Sequence, residues 1–243
     1  MRRTPFILTL ILGAAAVLAA QSGREVLRGE VRIDLEPVSD FSVEEQLPLD
    51  TAALRERAMA ETAWFYGAMI YGWSFHYDIG ERARGIAEEL ELVPLGTILP
   101  GDPRIEITDF EVKDARVYLW SDYRPAPAQL QRMAKWRAGS TRSAQGYGHG
   151  PLGVMPPAGI ENAAERLKDP AERWLTIRKQ ALEDAARAAL RAVLRGGERN
   201  RPKEASGYIS LAAFPRFWLD RGQWAASGRF LIEVETITPF AAY

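Results

Sequence analysis

Alternating apolar and polar positions predict antiparallel β-structure in three parts of the chain. Residues 31–35 alternate between aliphatic and charged side chains, which is the period-two pattern of a half-buried strand. The runs 105–107 and 117–119 alternate in the same way on either side of Lys113-Asp114, so we expect a hairpin with its turn at that dipeptide. Two further strands are predicted at about 208–218 and 224–236, joined by residues 219–222.

Apolar residues at helical spacing predict two main helices. The first covers about 50–76 and includes a long run without formal charge, which suggests a helix covered on several sides. The second covers about 170–195, with a proline at its first position and a stripe of alanines that lets its backbone approach a sheet closely. Shorter helices are predicted at about 81–92 and 126–138.

These elements define an α+β fold, with antiparallel hairpins or a sheet packed against the two main helices. We expect residues 21–243 to form a single domain. Residues 139–159 are rich in glycine and proline and lack apolar periodicity, so we expect a long loop there. The predicted core residues are Trp64, Phe65, Met69, Trp73, Trp174, Ile177, Leu182 and Phe230.

The composition is that of a globular protein. Hydrophobic residues make up 47% and charged residues 26% of the 243, which excludes a disordered, collagen-like or polytopic membrane protein. The net charge of −1 gives no reason to expect a nucleic-acid partner. The chain has no cysteine, which excludes disulfides, thiolate zinc sites and thiol catalysis.

Charge is unevenly distributed along the chain. Residues 25–61 are predominantly acidic, whereas residues 166–203 are predominantly basic. A basic face could meet anionic lipid or an acidic partner. Alternatively, the two regions neutralise each other within the fold.

The first twenty residues have the arrangement of a secretory signal peptide. Arg2 and Arg3 precede the uncharged run Phe6–Leu18, which closes on two alanines. The wider uncharged run, from Thr4 to Ser22, approaches the length of a membrane span, so an uncleaved N-terminal anchor is the alternative. We therefore expect an exported protein, periplasmic or extracellular in a bacterium.

Catalytic motifs are missing from the sequence, which contains no phosphate-binding loop, nucleophile elbow or zinc-protease helix. We therefore assign no catalytic residue, metal ligand or cofactor. The chain has two histidines, and His76 lies two residues before Asp78. It could be a base oriented by that aspartate, or a histidine interacting with the carboxyl end of the first main helix.

Side chains suited to binding are concentrated in and beside the predicted loop. Aromatic and imidazole groups on a glycine-rich loop can close over a ligand, and arginine can pair with an anion. The alternative is a tolerated insertion without a partner. The candidate binding residues are Trp136, Arg137, Arg142, Tyr147 and His149.

Two function classes remain. The first is an exported, non-enzymatic protein of the cell envelope, with a structural role or an interaction with a protein or envelope component. The second is a periplasmic ligand-binding or hydrolytic protein with a site under the 139–159 loop. Few histidines and no cysteine favour the first class, whereas ionisable groups converging in a closed pocket would favour the second. Contact with a membrane is expected only if the N-terminal segment stays uncleaved.

We predict that the N-terminal segment is removed during export, because its basic, apolar and small-residue regions follow the secretory order. N-terminal sequencing of the protein from its native host should begin shortly after Ala19 to Ser22. A protein that begins at Met1 and remains in the membrane fraction would contradict this interpretation.

Overall fold

The computed structural model describes residues 25–34, 51–80, 87–114, 116–151, 170–195 and 202–239. Three helices lie in this part of the chain: α1 (Thr51–Ile70), α2 (Pro127–Trp136) and α3 (Pro170–Arg195). None of these described helices combines the length and apolar character that crossing a membrane requires.

The described strands form two antiparallel sheets. In chain order they are β1 (Leu27–Asp34), β2 (Trp73–Asp78), β3 (Glu89–Pro94), β4 (Ile105–Lys113), β5 (Arg116–Tyr123), β6 (Arg142–His149), β7 (Pro202–Leu211), β8 (Arg216–Asp220) and β9 (Gln223–Pro239). One sheet has the order β1-β5-β4. The other has the order β3-β2-β7-β9-β6, and β8 pairs with β9. The α+β fold class predicted from the sequence is confirmed.

Two tight hairpins turn through residues with a positive φ. The β4–β5 hairpin turns at Asp114, which has a positive φ of 50°, next to the predicted Lys113-Asp114 position. The β8–β9 hairpin turns through Arg221 and Gly222, with φ values of 50° and 79°. In the β8–β9 turn both central residues therefore have positive φ, which is the geometry that suits the twist of antiparallel strands.

The helix predicted at about 50–76 is too long, because α1 ends at Ile70 and residues 73–78 form β2. Gly72 separates the two elements with a φ of +67°, and a β-carbon there would lie 2.4 Å from the backbone oxygen of Ile209. The prediction overran because residues 62–77 carry no formal charge, so the run was interpreted as one element. Its last part, residues 73–78, alternates between aromatic and polar side chains, which is the period-two signal of a strand.

Two other predicted elements also differ from the structure. The 81–92 helix is wrong at its end, since Glu89–Pro94 form β3, and residues 81–86 lie outside the described part. The strand predicted at 208–218 is interrupted between β7 and β8. The α2 and α3 helices and the β4–β5 hairpin are confirmed.

The loop predicted at 139–159 is wrong over Arg142–His149, which form the strand β6. Its glycines have a packing role, because α3 crosses this strand in close contact. A β-carbon on Gly146 would lie 1.9 Å from the backbone oxygen of Ala185, and one on Gly148 would lie 2.1 Å from the Ala185 nitrogen. The alanine stripe of α3 therefore meets the glycines of β6 backbone to backbone. Residues 152–160 lie outside the described part.

The main core lies between α1, α3 and the six-stranded sheet, and the strands β1 and β5 of the three-stranded sheet also contribute buried side chains to it. Of the predicted core residues, five are buried: Phe65, Trp73, Ile177, Leu182 and Phe230. Trp64 and Met69 are half-buried and pack against this core. The side chain of Trp174 lies outside the described residues.

A buried ion network connects the two long helices. Glu61 of α1 accepts contacts from Arg57, at 3.3 Å, and from Arg178 of α3, at 2.5 Å, and all three side chains are almost fully buried. The Arg178 guanidinium also lies over the rings of Phe217 and Trp224, at 4.0 and 4.8 Å from their centroids. This network joins an acidic residue of the 25–61 region to a basic residue of the 166–203 region within the fold.

We predict that Gly146→Ala destabilises the protein by about 1–3 kcal/mol, because the added methyl would force α3 away from β6. The matched control is Gly139→Ala, where a β-carbon has no atom within 4 Å and the free energy of unfolding should change by less than about 1 kcal/mol. Urea denaturation measures both. Equal effects of the two substitutions would contradict the close packing.

We also predict that Glu61→Gln lowers the free energy of unfolding by about 3–5 kcal/mol, because it removes the buried negative charge that contacts both Arg57 and Arg178. The control is Glu106→Gln, which breaks a 3.0 Å ion pair with Arg124 at the surface and should cost at most about 1 kcal/mol. A loss below about 1 kcal/mol at Glu61, measured by thermal and urea unfolding, would show that the pair is not structurally important.

Candidate functional site

The two faces of the six-stranded sheet have different environments. One face packs against α1, α3 and the core. The other, which we call the open face, carries mostly half-buried and exposed polar side chains. In antiparallel strands, directly paired residues lie on the same face, so the register identifies which side chains share the open face.

One end of the open face carries an aromatic patch, which we define as Tyr147, His149, Arg216, Trp218 and Asp220. Trp218 pairs with Ala225 of β9, and Ala225 pairs on its other side with His149. Likewise, Ser227 lies between Arg216 and Tyr147.

Small residues of β9 therefore separate two rows of large side chains in the aromatic patch. At a strand spacing of about 4.8 Å, the backbones of β6 and β8 are about 10 Å apart, and the side chains of His149 and Asp220 meet across β9 over the buried Ala225. The aromatic side chains are accessible, with Tyr147 63% and Trp218 39% exposed.

Several contacts fix the position of β6 under this patch. The backbone N–H of His149 donates to Asp184 of α3 at 3.1 Å, and the His149 ring lies 3.4 Å from the Asp220 carboxylate. Gln145 donates to Ser227 at 3.0 Å across the neighbouring strand. The strand is thus held from the helix side and from the open face.

The structure brings together only two of the five residues predicted to bind. Tyr147 and His149 are two positions apart on one strand and share the open face. Trp136 is buried, and its indole N–H donates to the backbone oxygen of Ile70 at 3.1 Å, so it packs between α2 and α1. Arg137 pairs with Glu25. Arg142 is exposed at the other end of β6, on the opposite face.

The other end of the open face carries the histidine–acid cluster, which we define as His76, Asp78 and Glu204. The Nε2 atom of His76 lies 3.7 Å from Asp78 Oδ1 and 3.4 Å from Glu204 Oε1. All three potential donor atoms lie within 4.8 Å of one another. A cleft of about 500 Å³ adjoins the cluster and is lined by His76 and Asp78 together with Glu89 and Glu91 of β3.

Beneath the cluster, the core-facing side of β2 is fixed by a polar network. The Tyr77 hydroxyl donates to Glu88, and the Arg191 guanidinium of α3 donates to both, at 2.5 Å to Glu88 Oε1 and 3.2 Å to the Tyr77 oxygen. Burial, together with the Glu88 carboxylate, raises the pKa of Tyr77 to about 12. Burial alone would raise the pKa of Glu88, but the hydrogen bonds from Arg191 and Tyr77 lower it overall.

Sequence patterns did not identify the site residues on β7 and β8, which are Glu204, Arg216, Trp218 and Asp220. Residues 216–220 read RFWLD, and the three successive apolar residues give no alternation that would separate Trp218 from the core-facing Phe217. The spacing of His76 and Asp78 was recognised, but on a helix rather than a strand. Only a strand places residues i and i+2 on one face. No local signal connects either residue to Glu204.

A protein-family model matches residues 15–173 and 158–240 of the chain. The function of this family is unknown. The chain belongs to this family. An uncharacterized protein of Treponema pallidum (strain Nichols) is 25% identical over 181 residues, which cover 74% of this chain and 68% of that relative. No solved structure matches the chain.

Proposed function

We propose that this protein is exported to the cell envelope and acts there without catalysis, by binding a partner protein through its aromatic patch. The observation that carries this proposal is the exposure of Tyr147 and Trp218 on one sheet face, with the small residues Ala225 and Ser227 between them. The N-terminal sequence pattern supports the location.

The residue types of the patch favour a protein interface. Tryptophan, tyrosine and arginine are the side chains that most often dominate binding energy at such interfaces. Here Trp218, Tyr147 and Arg216 occupy neighbouring positions, while His149 and Asp220 supply polar groups beside them. An aromatic centre with polar groups at its margin is the usual composition of a transient interface.

The rigidity of the patch also supports binding. Its side chains project from β6 and β8, which both pair with β9, and β6 is packed directly against α3. A partner therefore meets side chains whose backbone positions are already fixed, which reduces the entropy lost on association. The alternative of a ligand site under a loop at 139–159 has less support, because residues 142–149 of that segment form the strand β6.

The experiment is photo-crosslinking in cells of the native host. A photoreactive phenylalanine analogue at position 147 or 218 should give a discrete adduct with an envelope protein. The matched control position is Leu99, which is 70% exposed but precedes β4, and it should not give this adduct. Adducts that are identical at all three positions, adducts that are missing at 147 and 218, or a chain confined to the cytosol would contradict the proposal.

The same patch is then tested by substitution. The double change Tyr147→Ser and Trp218→Ser should weaken binding of the crosslinked partner at least tenfold, because two exposed aromatic anchors are lost. The free energy of unfolding should change little, since both side chains are exposed. The affinity measured with purified partner should be unchanged in the control variant Leu99→Ser.

A further inference from the structure

We propose that the histidine–acid cluster binds a divalent transition-metal ion of the zinc type. The three side chains come from two adjacent strands, β2 and β7, whose register pairs Asp78 directly with Glu204. The site lies at the opposite end of the open face from the aromatic patch, with β7 and β9 between β2 and β6. The proposal is independent of the protein-binding function.

The spacing of the donor atoms fits metal ligation better than hydrogen bonding. His76 Nε2 lies 3.4 and 3.7 Å from the two carboxylate oxygens, whereas charge-assisted hydrogen bonds measure about 2.7–2.9 Å. Zinc bonds of about 2.0–2.2 Å at tetrahedral angles hold neighbouring donor atoms about 3.4 Å apart. The two separations from His76 therefore match edges of such a coordination polyhedron, and the two carboxylates lie within 4.8 Å of each other.

The electrostatics of this part of the sheet also favour a bound cation. Glu89 of β3, Asp78 of β2 and Glu204 of β7 lie directly opposite one another in a row across three strands. Like charges directly opposite each other destabilise a sheet. A divalent ion held by two of these carboxylates would offset this repulsion. Arg187, which lines the same cleft, pairs with Asp184 of its own helix at 2.8 Å.

The donor set identifies the class of metal. One imidazole nitrogen and two carboxylate oxygens suit zinc and its first-row neighbours, whereas calcium and magnesium prefer all-oxygen sites. The cluster is half-exposed beside the 500 Å³ cleft, so an ion can reach it from solvent. Zinc usually has four ligands, so three protein ligands leave the fourth position to water. Zinc sites with an open coordination position have this arrangement.

The test measures binding of Zn²⁺ to the purified protein by isothermal titration calorimetry, with thermal unfolding as a second readout. We expect one ion per chain and a higher melting temperature when Zn²⁺ is present. His76→Gln and Glu204→Gln should each weaken Zn²⁺ affinity at least tenfold and abolish the rise in melting temperature. Both variants should fold without metal, because both side chains are nearly half exposed.

The matched control is His149→Gln, which removes the other histidine of the chain, also half exposed and also 3.4 Å from a carboxylate. This variant should bind Zn²⁺ like the unchanged protein. The proposal is wrong if Zn²⁺ does not bind at micromolar concentration, if binding survives His76→Gln, or if it depends on His149. It is equally wrong if Ca²⁺ binds as tightly as Zn²⁺ with or without His76, since the cluster would then be only a region of negative charge.

Discussion

The buried pair of Arg178 and Glu61 is the interaction on which the arrangement of this protein depends. Removing two charges from water costs several kcal/mol per ion, and only close, fixed geometry offsets that cost. Here α1 supplies the carboxylate, α3 supplies the guanidinium, and the rings of Phe217 and Trp224 cover the guanidinium. The pair therefore holds α1, α3 and the β8–β9 hairpin together, because a displacement of either helix would lengthen the 2.5 Å contact between two buried charges.

The position of α3 determines which residues fit in β6 and which face of the sheet its side chains occupy. The helix approaches the strand closely enough that only glycine fits at positions 146 and 148. Since neighbouring residues of a strand point to opposite faces, this contact directs Tyr147 and His149 away from the core. The same residues that sequence periodicity assigned to a loop thus form a rigid edge strand. Its exposed aromatic group is held in place rather than free to move with a lid.

The second long contact of α3 organises the other end of the sheet. Arg191 binds Tyr77 and Glu88 on the core side of β2, which fixes the strand that carries His76 and Asp78 on its open face. Sheet register then brings Glu204 to the same place. One helix therefore supports both ends of the open face. The two proposed sites remain separable by experiment, since neither shares a side chain with the other.

Local pattern alone determined α2, α3 and the β4–β5 hairpin, because each has a clear period, a proline start or a turn dipeptide within a few residues. The sequence also identified Tyr147 and His149 as a pair with binding chemistry. The alternation in residues 73–78 is a local strand signal for β2, but it was hidden because it continues the uncharged run of α1. Tertiary structure decided β6, whose glycine-rich sequence takes its form from the helix and the strand beside it. It also decided the histidine–acid cluster, because Glu204 meets Asp78 only through the register of β2 with β7. A contact between residues so far apart in the chain is set by strand pairing and packing, which leave no local trace in the sequence.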